Sequence, residues 1–209
     1  MQKLLTLFTF QFLLFTFQFA HAQKEVKIGT QVWMVENLNV EKFRNGDSIP
    51  EAKTDEEWEK SGDEKKPVWC YYDNDPKNGD KYGKLYNWYA VNDPRGLAPK
   101  GWHVPSDEEW TLLADYLGGK EQAGDKIKSK TGWNKDGNGT NSSGFSGLPS
   151  GFRNSIGMFD YIGEHGYWWS STEANTANAW NRSPRYNTGF FSKNFNYKSN
   201  GFSVRCLRD

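Results

Sequence analysis

GWHVPSDEEW (residues 101–110), continued by TLLADYLGG to residue 119, is the stretch on which the fold turns. Ser106 is a good N-cap, and Glu109 three residues on completes a capping box. Asp107 and Glu108 place negative charge in the first turn, where the helix dipole favours it. Trp110, Leu113, Ala114 and Leu117 follow at i, i+3, i+4 and i+7, the stripe of a helix that packs one face inward. Gly118 and Gly119 stop it, and Pro105 sits just before the cap, where it breaks no helical bond. The reading is a helix over residues 106–117, with Trp110 on its buried side.

Outward from this helix the chain changes texture. On the amino side, Val26 and Ile28 alternate, Gly29-Thr30-Gln31 turns, and Val32, Met34 and Leu38 continue at period two, predicting a strand pair. Thr54-Asp55-Glu56-Glu57 has capping-box form and predicts a short helix, carrying Trp58 inward and ending at Gly62. Val68 to Tyr72 reads as an aromatic strand, and Asp73 to Asp80 as a turn built from Asp, Asn, Pro and Gly. On the carboxyl side, Gly, Asn and Ser dominate residues 132–147. Short aromatic strands follow near Phe152-Arg153, Phe159 to Ile162, Tyr167 to Ser171, Ala179 to Tyr186, Phe190 to Tyr197 and Phe202 to Leu207. Closely spaced short strands usually form antiparallel sheets. The fold class is therefore α+β, in one domain with few, short helices. No tandem repeat is visible.

Residues 1–22 have the layout of a cleaved secretory signal: Lys3, an apolar run from Leu4 to Ala20, then Ala20-His21-Ala22. Gln11, Gln18 and three threonines interrupt the run, which argues against a spanning anchor. The remainder, residues 23–209, suits one domain, and no later segment is apolar enough to span a bilayer. The expected destination is the periplasm or the exterior of a bacterium. The whole sequence carries 26 basic and 26 acidic residues. That balance argues against nucleic acid as partner, because phosphate recognition needs clustered positive charge.

Two cysteines remain, Cys70 and Cys206, both in predicted strands. In an exported protein such a pair reads as a disulfide. It would close a loop longer than ~100 residues, for which chain entropy gives about 4 to 5 kcal/mol. The alternative is two buried thiols. All ten tryptophans lie beyond the leader. Most are expected as packing units, each burying about 150 to 250 Å². Trp168 and Trp169 are adjacent on a strand and should face opposite sides. On a half-exposed sheet one is core, and the other is the best aromatic contact for a ligand. Asp73, Asp75 and Asp80 crowd one turn, and Asp136, Asn138 and Thr140 another. Oxygen-rich loops of this kind either hold calcium or simply make turns. No other cofactor is indicated.

Four motifs carry a resemblance: YGKLYNWYAV (82–91), GWHVPSDEEW, GYWWSSTE (166–173) and GFSVRCLRD (201–209), supported by YYDND (71–75) and FSGLPSGFRN (145–154). In this order they resemble the Fibrobacter succinogenes major paralogous domain family, over nearly the whole chain from Val26. That resemblance implies an exported domain without an assigned biochemical activity. More distantly, HVPSDEEW (103–110) and GFSVR (201–205) are similar to the helix start and last strand of formylglycine-generating, sulfatase-modifying enzymes. This implies a C-type-lectin-like core of small mixed or antiparallel sheets, few helices and long irregular loops. Those enzymes use copper-binding cysteines upstream of the last strand. Residues 147–204 contain none here, so the chemistry is not implied.

Glu109 and Arg205 sit in two of the motifs, and a structural ion pair between them would lock the helix onto the last strand. Glu173 and Arg153 are a second such pair. His165, between glycines, reads as a loop residue. Three readings of function follow. The preferred one is a secreted, non-catalytic module that binds polysaccharide or a surface protein. Its recognition would lie in the loops at 74–83, 130–147 and 171–179. An enzyme of unknown reaction and a structural surface protein are the alternatives. A convergent set of buried, pKa-shifted groups would favour the enzyme, and an exposed aromatic shelf beside polar loops the glycan binder.

Overall fold

β1 (Glu25–Ile28) and β2 (Gln31–Met34) form the expected antiparallel hairpin. Its turn needs Gly29, which sits at φ +63° with the Tyr116 ring so close that a Cβ would lie 2.9 Å from it. A computed structural model describes residues 24–209; the signal-peptide reading of residues 1–22 lies outside them. After the hairpin come α1 (Asp55–Asp63), β3 (Trp69–Cys70), α2 (Pro76–Tyr82), β4 (Leu85–Tyr86), α3 (Trp88–Val91) and β5 (Trp102–His103). Then follow α4 (Asp107–Tyr116), α5 (Lys120–Ile127) and six strands: β6 (Ser150–Arg153), β7 (Phe159–Ile162), β8 (Trp168–Glu173), β9 (Asn178–Pro184), β10 (Phe191–Tyr197) and β11 (Leu207–Arg208). No helix among the described residues is long and apolar enough to cross a membrane.

The helix starts obey the local rules. Thr54 caps α1 through the Glu57 N–H, and Ser106 and Glu109 make a full capping box at α4. Trp110, Leu113, Ala114 and Leu117 are all buried. α2 takes the place of much of the turn expected over residues 73–80, and α5 is a helix for which the sequence reading made no assignment. α2 forms because Asp75 accepts from the Lys77 N–H and Pro76 occupies the first helical position, where a missing N–H costs nothing. α5 has no side-chain cap and a glycine inside. Gly124 is needed there because the Gly189–Phe190 backbone crosses the helix, and a Cβ would lie 2.5 Å from the Gly189 carbonyl.

Among the described residues the strands gather into four small antiparallel sheets, in the orders β1-β2-β11-β5, β10-β9-β8, β3-β4 and β6-β7. The last predicted strand is mostly not a strand. Only Leu207 and Arg208 pair regularly, and the residues before them make single bridges to different sheets. Gly201 bridges Arg153 of β6, Phe202 bridges Tyr86 of β4, and Ser203 bridges Trp168 of β8. Leu207 then pairs with Trp33 and His103. One short segment thus touches all four sheets.

β8 separates two bodies of core. Trp168 packs with Trp33, Trp110, Phe145 and Phe191 on the α4 side. Trp169 packs with Tyr86, Trp88 and Phe202 on the other. A third, smaller cluster holds Trp58, Cys70, Tyr72 and Leu85. Because loops carry so much of the chain, buried cations fasten them. Arg153 donates to the Ala52 and Gly157 carbonyls, and Lys128 to those of Arg185 and Thr188. Lys84 lies over the rings of Trp69 and Tyr71.

Candidate functional site

Trp168 and Trp169 do face opposite sides, but both are 0% exposed. The expectation that one would meet a ligand is wrong, because both faces of β8 are covered. Cys70 and Cys206 are free, buried thiols, and no disulfide joins them. They belong to different core clusters, and burial pushes each thiol up to about 12.

The expected Glu109–Arg205 ion pair is also absent. Glu109 turns back on its own helix start: Oε2 accepts from the Ser106 N–H at 2.8 Å, and Oε1 meets His103 Nε2 at 2.9 Å. Arg205 is fully buried among neutral acceptors. It donates to the Met34, Val35 and Phe145 carbonyls at 3.0, 2.6 and 2.7 Å, and twice to Asn37 Oδ1. Desolvation pulls its pKa down to about 9. Glu173 and Arg153 are likewise paired elsewhere, with Lys198 and Asp55, each at 2.9 Å.

The calcium candidates do not converge. Asp75 caps α2, Asp73 occupies a left-handed turn position at φ 54°, and Asp80 is exposed on α2. Burial, then the neighbouring Asp75 charge, raises the pKa of Asp73. In the second turn, Asn138 Oδ1 accepts from the Trp133 N–H, and the Thr140 hydroxyl donates to the Asp125 carbonyl. Among the described residues no group of three or more His, Cys, Asp or Glu side chains is placed to hold a metal ion.

His103 lies between two carboxylates, with Nδ1 at 2.8 Å from Asp209 and Nε2 at 2.9 Å from Glu109. Both ring nitrogens are engaged by carboxylates, which fixes the orientation of the ring. His165 donates to or accepts from the Tyr167 hydroxyl at 2.7 Å, and its ring stacks on Tyr161 with centroids 4.6 Å apart.

Two surface features stand apart from these structural contacts. The first is an aromatic shelf on the β9–β10 hairpin. Trp180 and Phe195 are cross-strand partners, and their rings meet edge to face at 5.5 Å. Tyr197, two residues along β10, projects from the same face. Phe195 is 55% and Tyr197 60% exposed, and Trp180 is half-buried. Lys193 Nζ lies 4.2 Å above the Trp180 ring and pairs with Asp107 at the start of α4. Beside Tyr197 opens a groove of about 290 Å³, walled by Glu59, Asp63, Ser155, Ile156 and Ser199. Trp180 was not among the residues expected to meet a ligand; its neighbour Ala179 points inward and Trp180 outward.

The second feature is a cavity of about 490 Å³ beneath which Arg205 lies. Its walls come from the Val35–Asn39 loop, the end of α2, residues 129–131 and the Asn141–Leu148 loop. It brings together Asp80, Arg205 and two of the three long loops picked out in the sequence. Asn37, not anticipated from sequence, is the hub. Its Oδ1 also accepts from Trp168 Nε1 at 2.8 Å, and its Nδ2 donates to the Tyr82 carbonyl.

Residues 26–208 match the model of the Fibrobacter succinogenes major domain. The chain belongs to that family. No curated protein matches it. In this Fibrobacter succinogenes major domain, YGKLYNWYAV supplies Lys84 and Tyr86, GYWWSSTE supplies the double-sided β8, and GFSVRCLRD supplies the bridging segment and Arg205. These motifs are thus chiefly the framework that positions the shelf and the cavity.

Proposed function

We propose that this domain is a secreted, non-catalytic module that binds polysaccharide on the Trp180–Phe195–Tyr197 shelf. The observation that carries the reading is the exposure of these rings on one face of a rigid hairpin, beside a polar groove. Large aromatic groups exposed together on a folded surface mark interaction sites. An aromatic face next to hydroxyl and carboxylate groups suits a ligand with apolar ring faces and polar edges. Phe195 and Tyr197 stand about 7 Å apart along the strand, so an extended chain can contact both.

Small antiparallel sheets, few helices and long loops support a C-type-lectin-like architecture, as the likeness of residues 103–110 and 201–205 to the sulfatase-modifying enzymes implies. The export reading, to the periplasm or cell exterior, rests on the leader sequence alone, since the thiols are unpaired.

A glycan array probed with the parent protein, with and without calcium, tests the function. Binding by the parent and its loss in a Trp180→Ala, Tyr197→Ala variant that remains folded at the assay temperature is the expected result. An array silent in both conditions, or a variant that binds like the parent, would overturn it.

A further inference from the structure

We propose that the cavity above Arg205 is a second binding site, for a carboxylate-bearing, polyhydroxylated ligand of mono- to disaccharide size: a hexuronate, free or within a chain. This does not depend on the aromatic shelf.

Size comes first. About 490 Å³ lies within the range of small-molecule sites, roughly 300 to 1,000 Å³. Wall chemistry comes next. Among the described residues no aromatic ring lines the cavity, and Val35 and Leu148 are its apolar members. The rest is amide, hydroxyl and charge. Ser146 and Asn141 are cross-bonded and so pre-positioned, with Asn141 Oδ1 accepting from the Ser146 N–H at 2.8 Å. Such a lining suits a ligand rich in hydroxyl groups and disfavours an apolar one.

Charge decides the class. Lys81, Lys130 and Arg205 line the cavity, and among the described residues none of the three makes an ion pair. Of the two lining carboxylates, Glu36 is taken by Lys24 at 3.2 Å. That leaves Asp80 against three cations. Arg205 is fully buried, held by carbonyl and amide dipoles and by the Phe145 ring face, with no carboxylate among its partners in the described residues. Its field reaches the cavity through protein rather than water, where a charge acts at longer range. A ligand carboxylate there is attracted by Arg205 from below and met directly by the lysines at the rim, while the sugar hydroxyls meet Thr131, Ser146 and the amides.

The test is a titration of the protein with D-galacturonate, digalacturonate and D-galactose, read by amide chemical shifts and calorimetry. Galacturonate or digalacturonate is expected to shift amides at residues 129–131, 141 and 79–81 in a saturable way. Galactose, lacking the carboxylate, should bind at least about tenfold more weakly, the factor that corresponds to 1.4 kcal/mol. Stronger binding of digalacturonate than of the monosaccharide supports a chain-borne carboxylate; the reverse supports a free acid. Lys81→Gln and Lys130→Gln replace exposed side chains. They should leave the melting temperature unchanged and weaken both acids several-fold. Equal binding of galactose, acid binding untouched by both lysine variants, or no saturable shift at a concentration that would register a roughly 10 mM dissociation constant would overturn the proposal.

Discussion

Asn37 and Arg205, at opposite ends of the described chain, are joined by two hydrogen bonds: Oδ1 of Asn37 accepts from Nε at 3.1 Å and from Nη2 at 2.8 Å. The same oxygen accepts from Trp168 Nε1. A neutral amide thus stands where a carboxylate was expected. Arg205 keeps its charge in the core through amide and carbonyl dipoles and the face of the Phe145 ring. Removing a buried acceptor from a charged donor leaves the desolvation penalty unopposed. Asn37→Ala is therefore expected to lose about 2 to 4 kcal/mol of stability, measured by urea denaturation. A variant within about 0.5 kcal/mol of the parent, the scale of an ordinary surface substitution, would show that this amide does not carry Arg205.

The clamp on His103 gives a pH dependence of definite sign. Burial opposes the imidazolium charge, but hydrogen bonds to Asp209 and Glu109, and the charges of both, outweigh it and raise the pKa above the ordinary histidine value. A raised folded-state pKa means that the folded form binds the proton more tightly than the unfolded chain. The stabilisation is then complete below the unfolded value, about 6.5, and is lost as pH rises through the higher folded value. Urea titrations from mildly acidic to mildly alkaline pH should show this loss in the parent and not in His103→Gln. The same slope in both proteins would place the dependence elsewhere.

Tryptophans separate by role. Trp168→Ala empties a site closed by Trp110, Phe145 and Phe191 and is expected to cost about 3 to 5 kcal/mol. Trp180→Ala removes a half-exposed ring from the hairpin surface, and a loss below about 1.5 kcal/mol is expected, since little cavity is created. Thermal melts of the two variants decide it. Equal losses would mean that Trp180 is core, which would remove the shelf.

Free, buried thiols predict indifference to reductant. The melting temperature should be the same with and without dithiothreitol. A thiol reagent should find two groups in denaturant and essentially none in native buffer, because burial suppresses the thiolate that reacts. A melting temperature that falls in reductant would indicate a bridge.

The contrast between α4 and Arg205 shows what the sequence could and could not disclose. The Ser106–Glu109 capping box and the Trp110 stripe are local, so residue type and spacing suffice, and both are seen in place. The β1–β2 hairpin and the strands at 159–162 and 191–197 were legible for the same reason. Arg205 instead binds main-chain carbonyls, which every residue carries. Charge counting therefore suggested Glu109 as its partner, wrongly. Trp168 and Trp169 were misjudged because the covers of β8, Trp110 on one side and Phe202 on the other, lie far off in sequence. α5 escaped because Gly124 argues against a helix until the Gly189–Phe190 backbone that crosses it is known. The cavity, assembled from five separated segments, left only its loops as a trace.

The bridging run from Gly201 to Leu207 has a consequence for how the molecule comes to be. It follows in sequence every element it joins, so during synthesis the earlier sheets exist without their common seam until it emerges. The half-assembled chain must wait with Trp33, Tyr86, Arg153 and Trp168 lacking their last neighbours. Cooperative closure should then arrive in one late step, and a lesion in those few residues would be felt in every part of the architecture at once.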